Sequence, residues 1–174
     1  AAVRWARSRR FPVAVRGGGH NVAGHAGCDD GLVIDHSPMN AVLVDPDRRT
    51  ARVQGGATWG DVDQATQSHG LATPGGEVST TGVAGLTLTG GMGMLQRKWG
   101  LACDNLLAAE VVTADGEVLQ ASAVEHPDLF WALRGGGGNF GIVTAFEFGL
   151  YPLGPDVYVA MVAYPAAEAR RILR

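Results

Sequence analysis

The sequence predicts one globular domain in which helices and short strands are mixed and glycine clusters approach a ligand. Three observations carry that expectation. Hydrophobic residues make up 46% of 174 positions, enough for a real core in a chain of this length. Apolar runs of strand length recur between turn residues, with helical segments among them. Glycine is the outlier, 26 of 174, and it comes in clusters without a collagen period or a Gly/Ser linker.

In chain order, Ala1–Arg9 carries Val3 and Ala6 beside a basic face and reads as a helix. It feeds the apolar run Pro12–Val15, a short buried strand. Arg16-Gly17-Gly18-Gly19-His20-Asn21-Val22-Ala23-Gly24 follows. Three glycines leave backbone N–H groups free to close on an anion, and one reactive side chain comes next. That suits a phosphate-bearing cofactor whose reactive end lies near His20; for one such loop taken alone, a tight glycine turn with a surface histidine is the more common case. Leu32–Asp35 is a second short strand. Ala41–Val44 pairs with Thr50–Val53 across the turn Asp45–Arg49. Thr58 is an N-cap with Asp61 at the third helical position, opening a helix that runs to about His69 and stops at Gly70.

Leu71–Gly76 reads as a turn. Gly82–Gly93 mixes small and apolar residues with no charge, so it is buried in packed backbone or against a flat apolar ligand. Arg97, Lys98 and Trp99 close it before Gly100. Ala109–Ala114 and Glu117–Ala121 form a hairpin across Asp115-Gly116. Pro127–Leu133 is a short helix with proline near its first position. Gly135–Gly138 leads through Asn139-Phe140-Gly141 to the strand Ile142–Phe148. A last strand, Val157–Ala163, leads into a terminal helix, Ala166–Arg174.

Several chemistries are excluded by pattern. Gly136–Gly141 matches G-x-G-x-x-G, but a helix precedes it and a strand follows, the reverse of a Rossmann site. Lys98 has no following Ser or Thr, so there is no phosphate-loop lysine motif, and no Gly-x-Ser-x-Gly elbow occurs. His25 has only Cys28 as a possible co-ligand and His36 has none, so both histidines read as structural and no metal is expected. Net charge is −3 and the pI about 5.9, which implies no basic face for nucleic acid. No stretch is apolar enough to span a bilayer. Cys28 and Cys103 are expected as free thiols, consistent with a reducing compartment or with chance, and a cytoplasmic location is expected. The uncharged glycine clusters at 17–19, 82–93 and 135–138 could together line one extended ligand with a pyrophosphate in its middle. With Rossmann order excluded, FAD fits better than NAD.

Arg16–Gly24, Thr73–Gly76, Gly82–Gly93, Gly100–Asn105 and Leu133–Thr144 together resemble the FAD-linked oxidases. These are the flavoproteins similar to p-cresol methylhydroxylase and vanillyl-alcohol oxidase; the resemblance is to the berberine-bridge-enzyme-like branch in a bacterial form. It runs to about Pro155. It implies an α+β fold: an FAD-binding domain of the p-cresol methylhydroxylase type with two α+β subdomains, truncated here. Residues 1–155 would be that domain with its first strands missing, and residues 156–174 the start of a substrate domain. The resemblance further implies that His20 is bonded covalently to the flavin 8-methyl carbon. Gly17, Gly18, Gly19 and Asn21 would hold the pyrophosphate. Thr73, Gly75, Gly76, Gly82 and Gly85 would lie along the phosphates and flavin, with Thr81 near the flavin. Gly141, Ile142 and Val143 would contact FAD near its adenine end, with Val111 or Val112 beside them. Arg16, Gly24, Gly91, Asp104 and Asn105 complete the expected set.

Members with a second covalent link carry a cysteine four residues before the glycine equivalent to Gly82. Val78 stands there, so a single bond is expected. The implied activity is hydride transfer from a small organic substrate to covalently held flavin, reoxidised by oxygen or another acceptor. Alcohols, sugars, amines and alkaloids are the substrate classes; no nucleic acid or membrane partner is expected. A non-catalytic FAD- or nucleotide-binding module and a glycine-rich structural domain without a ligand are the rival readings.

Overall fold

The computed structural model describes residues 1–173. Helix α1 (Ala2–Arg9) packs Ala6 inward and ends at Arg10 in a left-handed conformation. It leads into β1 (Val13–Arg16), which pairs in parallel with β2 (Leu32–Asp35), Val13 opposite Leu32 and Arg16 opposite Asp35. The long connection between them contains the first glycine cluster.

The main sheet has five antiparallel strands in the order β3-β4-β8-β6-β7. β3 (Val42–Asp45) and β4 (Thr50–Gln54) form the expected hairpin, Val42 facing Val53. β6 (Leu106–Val112) and β7 (Val118–Ser122) form the second, and β8 (Ile142–Gly149) lies between β4 and β6. Strand alternation sends Ala51 and Val53 of β4, Ala109 and Val111 of β6, and Phe146 and Phe148 of β8 to buried positions. Helix α2 (Trp59–Gln67) adds Trp59 and Val62 to the same core, its indole 5.8 Å from the Phe148 ring. Burying one such aromatic is worth about 1.5–3 kcal/mol, so this layer is the main support of the fold. The start of α2 follows the sequence: Thr58 Oγ1 accepts from the Asp61 N–H at 3.3 Å, and Asp61 Oδ2 accepts from the Thr58 N–H at 2.8 Å.

Four expectations need correction. Leu71–Gly76 is not only a turn: β5 (Leu71–Ala72) pairs with β9 (Tyr151–Pro152). The uncharged stretch 82–93 contains a helix, α3 (Val83–Leu88), whose Val83 and Leu88 are buried. Its Gly and Thr content hides it from propensity; tertiary packing supplies the stability instead. A second short helix, α4 (Gln96–Trp99), follows it, and α5 (Pro127–Leu133) is as expected. Val157–Ala163 is not a strand. Its Val157, Tyr158, Val159, Met161 and Val162 are exposed, and among the described residues no neighbouring strand offers a ladder. The terminal helix is reduced to a 3-10 turn at Ala166–Glu168 and α6 (Ala169–Ile172); Arg174 lies outside the described residues. No helix among the described residues is long and apolar enough to cross a membrane.

Candidate cofactor-binding cleft

The site begins where β1 ends. Past Arg16 the chain leaves the parallel ladder, and among the described residues the N–H groups of Gly18, Gly19, His20 and Asn21 find no partner within the protein. Gly19 has a φ of +73°, a conformation that favours glycine. Asn21 closes the loop behind them: its carbonyl accepts from the Gly24 N–H at 3.1 Å and its Oδ1 from the His25 N–H at 3.1 Å.

The second glycine stretch meets this loop in backbone contact. A Cβ on Gly18 would fall 2.3 Å from the Gly82 nitrogen, and one on Gly82 would fall 2.3 Å from the Gly18 nitrogen. Both residues are therefore bare by necessity. Gly82 is itself held by the main domain, because the Trp59 N–H donates to the Thr81 carbonyl at 3.0 Å and the Val83 N–H to the Ala57 carbonyl at 2.9 Å. The same placement brings Thr80 and Thr81 onto His20. Thr80 Oγ1 lies 3.1 Å from His20 Nε2, and Thr81 Oγ1 lies 3.5 Å from Nδ1. His20 remains exposed between them.

Between the β1–β2 unit and the main sheet lies a cleft of about 1060 Å³. Of the residues expected at a ligand, Gly18, Gly19, His20, Asn21, Thr81, Gly82, Gly85, Gly91, Gly141, Ile142 and Val143 line it. Ideal Cβ atoms on Gly85 and Gly138 would meet nothing within 4 Å, so these glycines present open backbone to the cleft. Gly141, with a φ of +140°, passes so close to β6 that a Cβ would fall 2.7 Å from the Val112 carbonyl oxygen. Among the described residues the lining contains no carboxylate, lysine, arginine or cysteine; its titratable members are His20, His25 and His36.

Other expected residues lie outside the cleft wall and have structural surroundings. Gly17 abuts the Gly55 carbonyl, where a Cβ would sit 3.3 Å from the oxygen. The Arg16 carbonyl accepts from the His36 N–H at 2.9 Å. Gly24 is a left-handed turn residue with a φ of +81°. Thr73 is buried with its hydroxyl unpartnered among the described residues. Gly75 and Gly76 lie against Trp59 and Leu86, whose atoms occupy the space a side chain would need. Val112 stands behind Gly141. Asp104 accepts from the Leu101 N–H at 2.8 Å. Asn105 donates to the Trp99 and Leu101 carbonyls at 2.9 and 2.7 Å and accepts from the Tyr151 hydroxyl at 2.8 Å. In this structure Asp104 and Asn105 direct these bonds to neighbouring loops and β9, away from the cleft.

Sequence reading takes His36 as structural. It is 4% exposed, lines the cleft, and its ring has no hydrogen bond among the described residues. The signal was the alternation along β2, which puts residue 36 on the inner side with Leu32 and Ile34. Burial pushes its imidazole below the ordinary value, with Asp35 opposing. Cys103 is buried and its thiol is pushed up by that burial; both cysteines are free.

An elongated cleft walled by bare backbone, rich in unpaired N–H groups and flat apolar surface, fits a dinucleotide with an anionic middle and an aromatic ring system. Comparison with known proteins points the same way. A family model described as "FAD binding domain" matches residues 1–122. (R)-6-Hydroxynicotine oxidase of Paenarthrobacter nicotinovorans is 45% identical over 152 residues, covering 87% of this chain and 33% of the relative. The crystal structure of 6-hydroxy-D-nicotine oxidase from Arthrobacter nicotinovorans superposes with a TM-score of 0.85 at 44% identity, over 87% of this chain and 33% of that one. Xylooligosaccharide oxidase from Myceliophthora thermophila superposes with a TM-score of 0.83 at 38% identity, over 86% of this chain and 32% of that one. The chain thus spans about a third of the length of the curated relatives it matches.

Proposed function

The chain belongs to the FAD-linked oxidases through its FAD binding domain, and from that premise we propose that it serves an FAD-dependent oxidoreductase with His20 as the covalent flavin anchor. The observation that carries this reading is the position of His20. It stands in the cleft at the end of the unpaired N–H groups, with both ring nitrogens facing threonine hydroxyls.

When bound, FAD supplies the acceptor for a hydride from a substrate C–H bond, with oxygen or another acceptor completing the turnover. The N–H groups of Gly18, Gly19 and Asn21 would hold the pyrophosphate, with no side chain between backbone and anion. Gly85, Gly91 and Thr81 would leave room for the flat ring, and Gly141, Ile142 and Val143 would close the far end. Thr80 and Thr81 would orient the His20 ring so that one of its nitrogens could carry the link to the flavin 8-methyl carbon. Such a link would replace one N–H and one C–H, a two-electron oxidation for which oxygen or another acceptor would be the oxidant. A single link is favoured, because Val78 stands where a second link would need a thiol and neither Cys28 nor Cys103 lines the cleft.

The named relatives act on 6-hydroxynicotine and on an oligosaccharide, so the substrate here is taken to be a small organic molecule of the amine, alkaloid, alcohol or sugar classes. Their names as oxidases favour turnover over a passive nucleotide-binding role. The test is a visible spectrum of the complete protein followed by acid precipitation. Yellow colour in the pellet, released by His20→Ala, is the expected result. Flavin freed from the unmodified protein would withdraw the covalent bond, and a colourless protein that takes up no added FAD would overturn the reading.

A further inference from the structure

We propose that His36 is a proton-linked contact for the FAD pyrophosphate, donating a ring N–H to it from the wall of the cleft. The inference rests on the cofactor reading above and on four observations.

The first is position. β1 and β2 run in register from Val13 opposite Leu32 to Arg16 opposite Asp35. One step further, Gly17 begins the glycine loop and His36 leaves β2, with its own N–H bonded to the Arg16 carbonyl at 2.9 Å. His36 therefore stands at the root of the loop whose bare N–H groups suit a phosphate. The second is that only glycine backbone, and no side chain, stands in between. An ideal Cβ on Gly55 would fall 2.8 Å from His36 Nδ1, and one on Gly17 would fall 3.3 Å from the Gly55 oxygen. Gly17, Gly55 and His36 form a stack with no intervening side chain.

The third is the unmet bonding capacity of the ring. The His36 ring has no hydrogen bond among the described residues, and its nitrogens are not among the fully buried unpartnered atoms, so the ring keeps its bonding capacity open toward the cleft it lines. The fourth is charge. A pyrophosphate diester carries two negative charges, and the cleft wall offers no lysine or arginine. Backbone N–H groups supply partial charges alone. The Arg16 guanidinium stands beside the loop, its Nε 3.6 Å from where a Cβ on Gly19 would lie; among the side chains that line the cleft itself only histidines can carry a full positive charge, and His36 is the buried one.

The groups around His36 set the sign. Asp35 precedes it on β2 and is held ionised by bonds from the Ser37 N–H and hydroxyl. Arg16 faces Asp35 from β1. β4 presents Gly55 and β8 presents Val143, neither of which titrates; His20 and His25 are the other titratable groups of the cleft. Without ligand, burial holds His36 neutral at pH 7. An adjacent dianion favours the cation. Binding then takes up a proton in the pH interval between the two values, and affinity falls as pH rises through the bound-state value.

The test uses the complete protein carrying His20→Ala, so that FAD remains exchangeable. FAD binding is measured by calorimetry at pH 7 in two buffers of different ionisation enthalpy, then across pH 6–8.5 by flavin fluorescence. The expected result is net proton uptake and weakening of affinity with rising pH. Adding His36→Leu should remove the uptake, flatten the pH profile and weaken binding about tenfold. His36→Gln should recover part of the affinity at high pH without restoring the uptake. Melting curves without FAD identify any variant that has failed to fold, and the uptake measurement with His36 intact does not depend on the variants. No uptake with His36 present, or unchanged uptake in His36→Gln, overturns the inference while leaving FAD binding intact. A colourless protein with His20 intact that takes up no added FAD would overturn the cofactor reading itself, and this inference with it.

Discussion

Gly85 is the third residue of α3, exposed to the cleft, and an ideal Cβ there would meet no heavy atom within 4 Å. Replacing it by alanine therefore creates no clash within the protein. Glycine inside a helix costs about 0.5–1 kcal/mol relative to alanine, because its unfolded chain has more freedom to lose. Gly85→Ala should stabilise the cofactor-free protein by that amount, a rise in Tm of about 1–4 °C for a domain of this size. The same methyl group projects into the space assigned to the flavin. Overpacking of that kind costs about 1–3 kcal/mol, so FAD affinity should fall by about tenfold or more. Two assays separate the effects in a His20→Ala background: thermal or urea unfolding without FAD, and fluorescence titration with FAD. Gly18→Ala is the contrast. Its Cβ would fall 2.3 Å from the Gly82 nitrogen, and since both partners are backbone, the two segments must part by about 1 Å. It should lower both stability and affinity. Unchanged FAD affinity in Gly85→Ala would refute the placement of the flavin along α3, and a lower Tm without FAD would refute the account of the glycine.

Asn105→Ala removes three hydrogen bonds from a side chain that is 4% exposed, leaving the Trp99 carbonyl and the Tyr151 hydroxyl without these partners while the Leu101 carbonyl keeps the Asp104 N–H at 3.1 Å. A loss of about 2–3 kcal/mol in urea unfolding is expected, and an effect confined to flavin binding would return Asn105 to the cofactor set. Glu110 accepts from the Thr144 hydroxyl at 2.5 Å, the Arg52 guanidinium at 3.0 Å and the Gln120 amide at 3.4 Å, which holds its carboxyl below the usual carboxylate range. A depressed folded-state value means stability that is present above the unfolded-state value and lost as pH falls through the folded one. Unfolding free energies measured from pH 6 down to pH 3 should fall less steeply for Glu110→Gln than for the unsubstituted chain.

Local elements were readable because local rules decide them. The hairpins at Asp45–Arg49 and Asp115-Gly116, the Thr58/Asp61 cap and the Pro127 helix start are each specified within a few residues. The glycine loop announced its own chemistry, since Gly17–Gly19 cannot supply a side-chain wall. What stayed hidden was non-local. β5 needs β9, about 80 residues away, to be a strand at all. α3 survives a composition of glycine and threonine because Val83 and Leu88 are buried under the sheet. Asp104 and Asn105 sit in a segment shared with flavoproteins, but their bonds in this structure go to the Leu101, Trp99 and Tyr151 positions rather than to the cleft.

By itself the sequence determined the alternation of strands and helices, the bare loop before His20, and the lack of any motif for a Rossmann nucleotide or a metal. These follow from backbone freedom, side-chain period and residue spacing, which need no partner. Tertiary structure alone decided that Gly18 and Gly82 touch, that Thr80 and Thr81 flank His20, and that His36 lines the wall of the same cleft. Those relations join segments about 20 to 60 residues apart, and they exist because the core of β4, β6, β8 and α2 holds both ends in place. Distance between such segments is set by packing, which no short stretch of chain encodes.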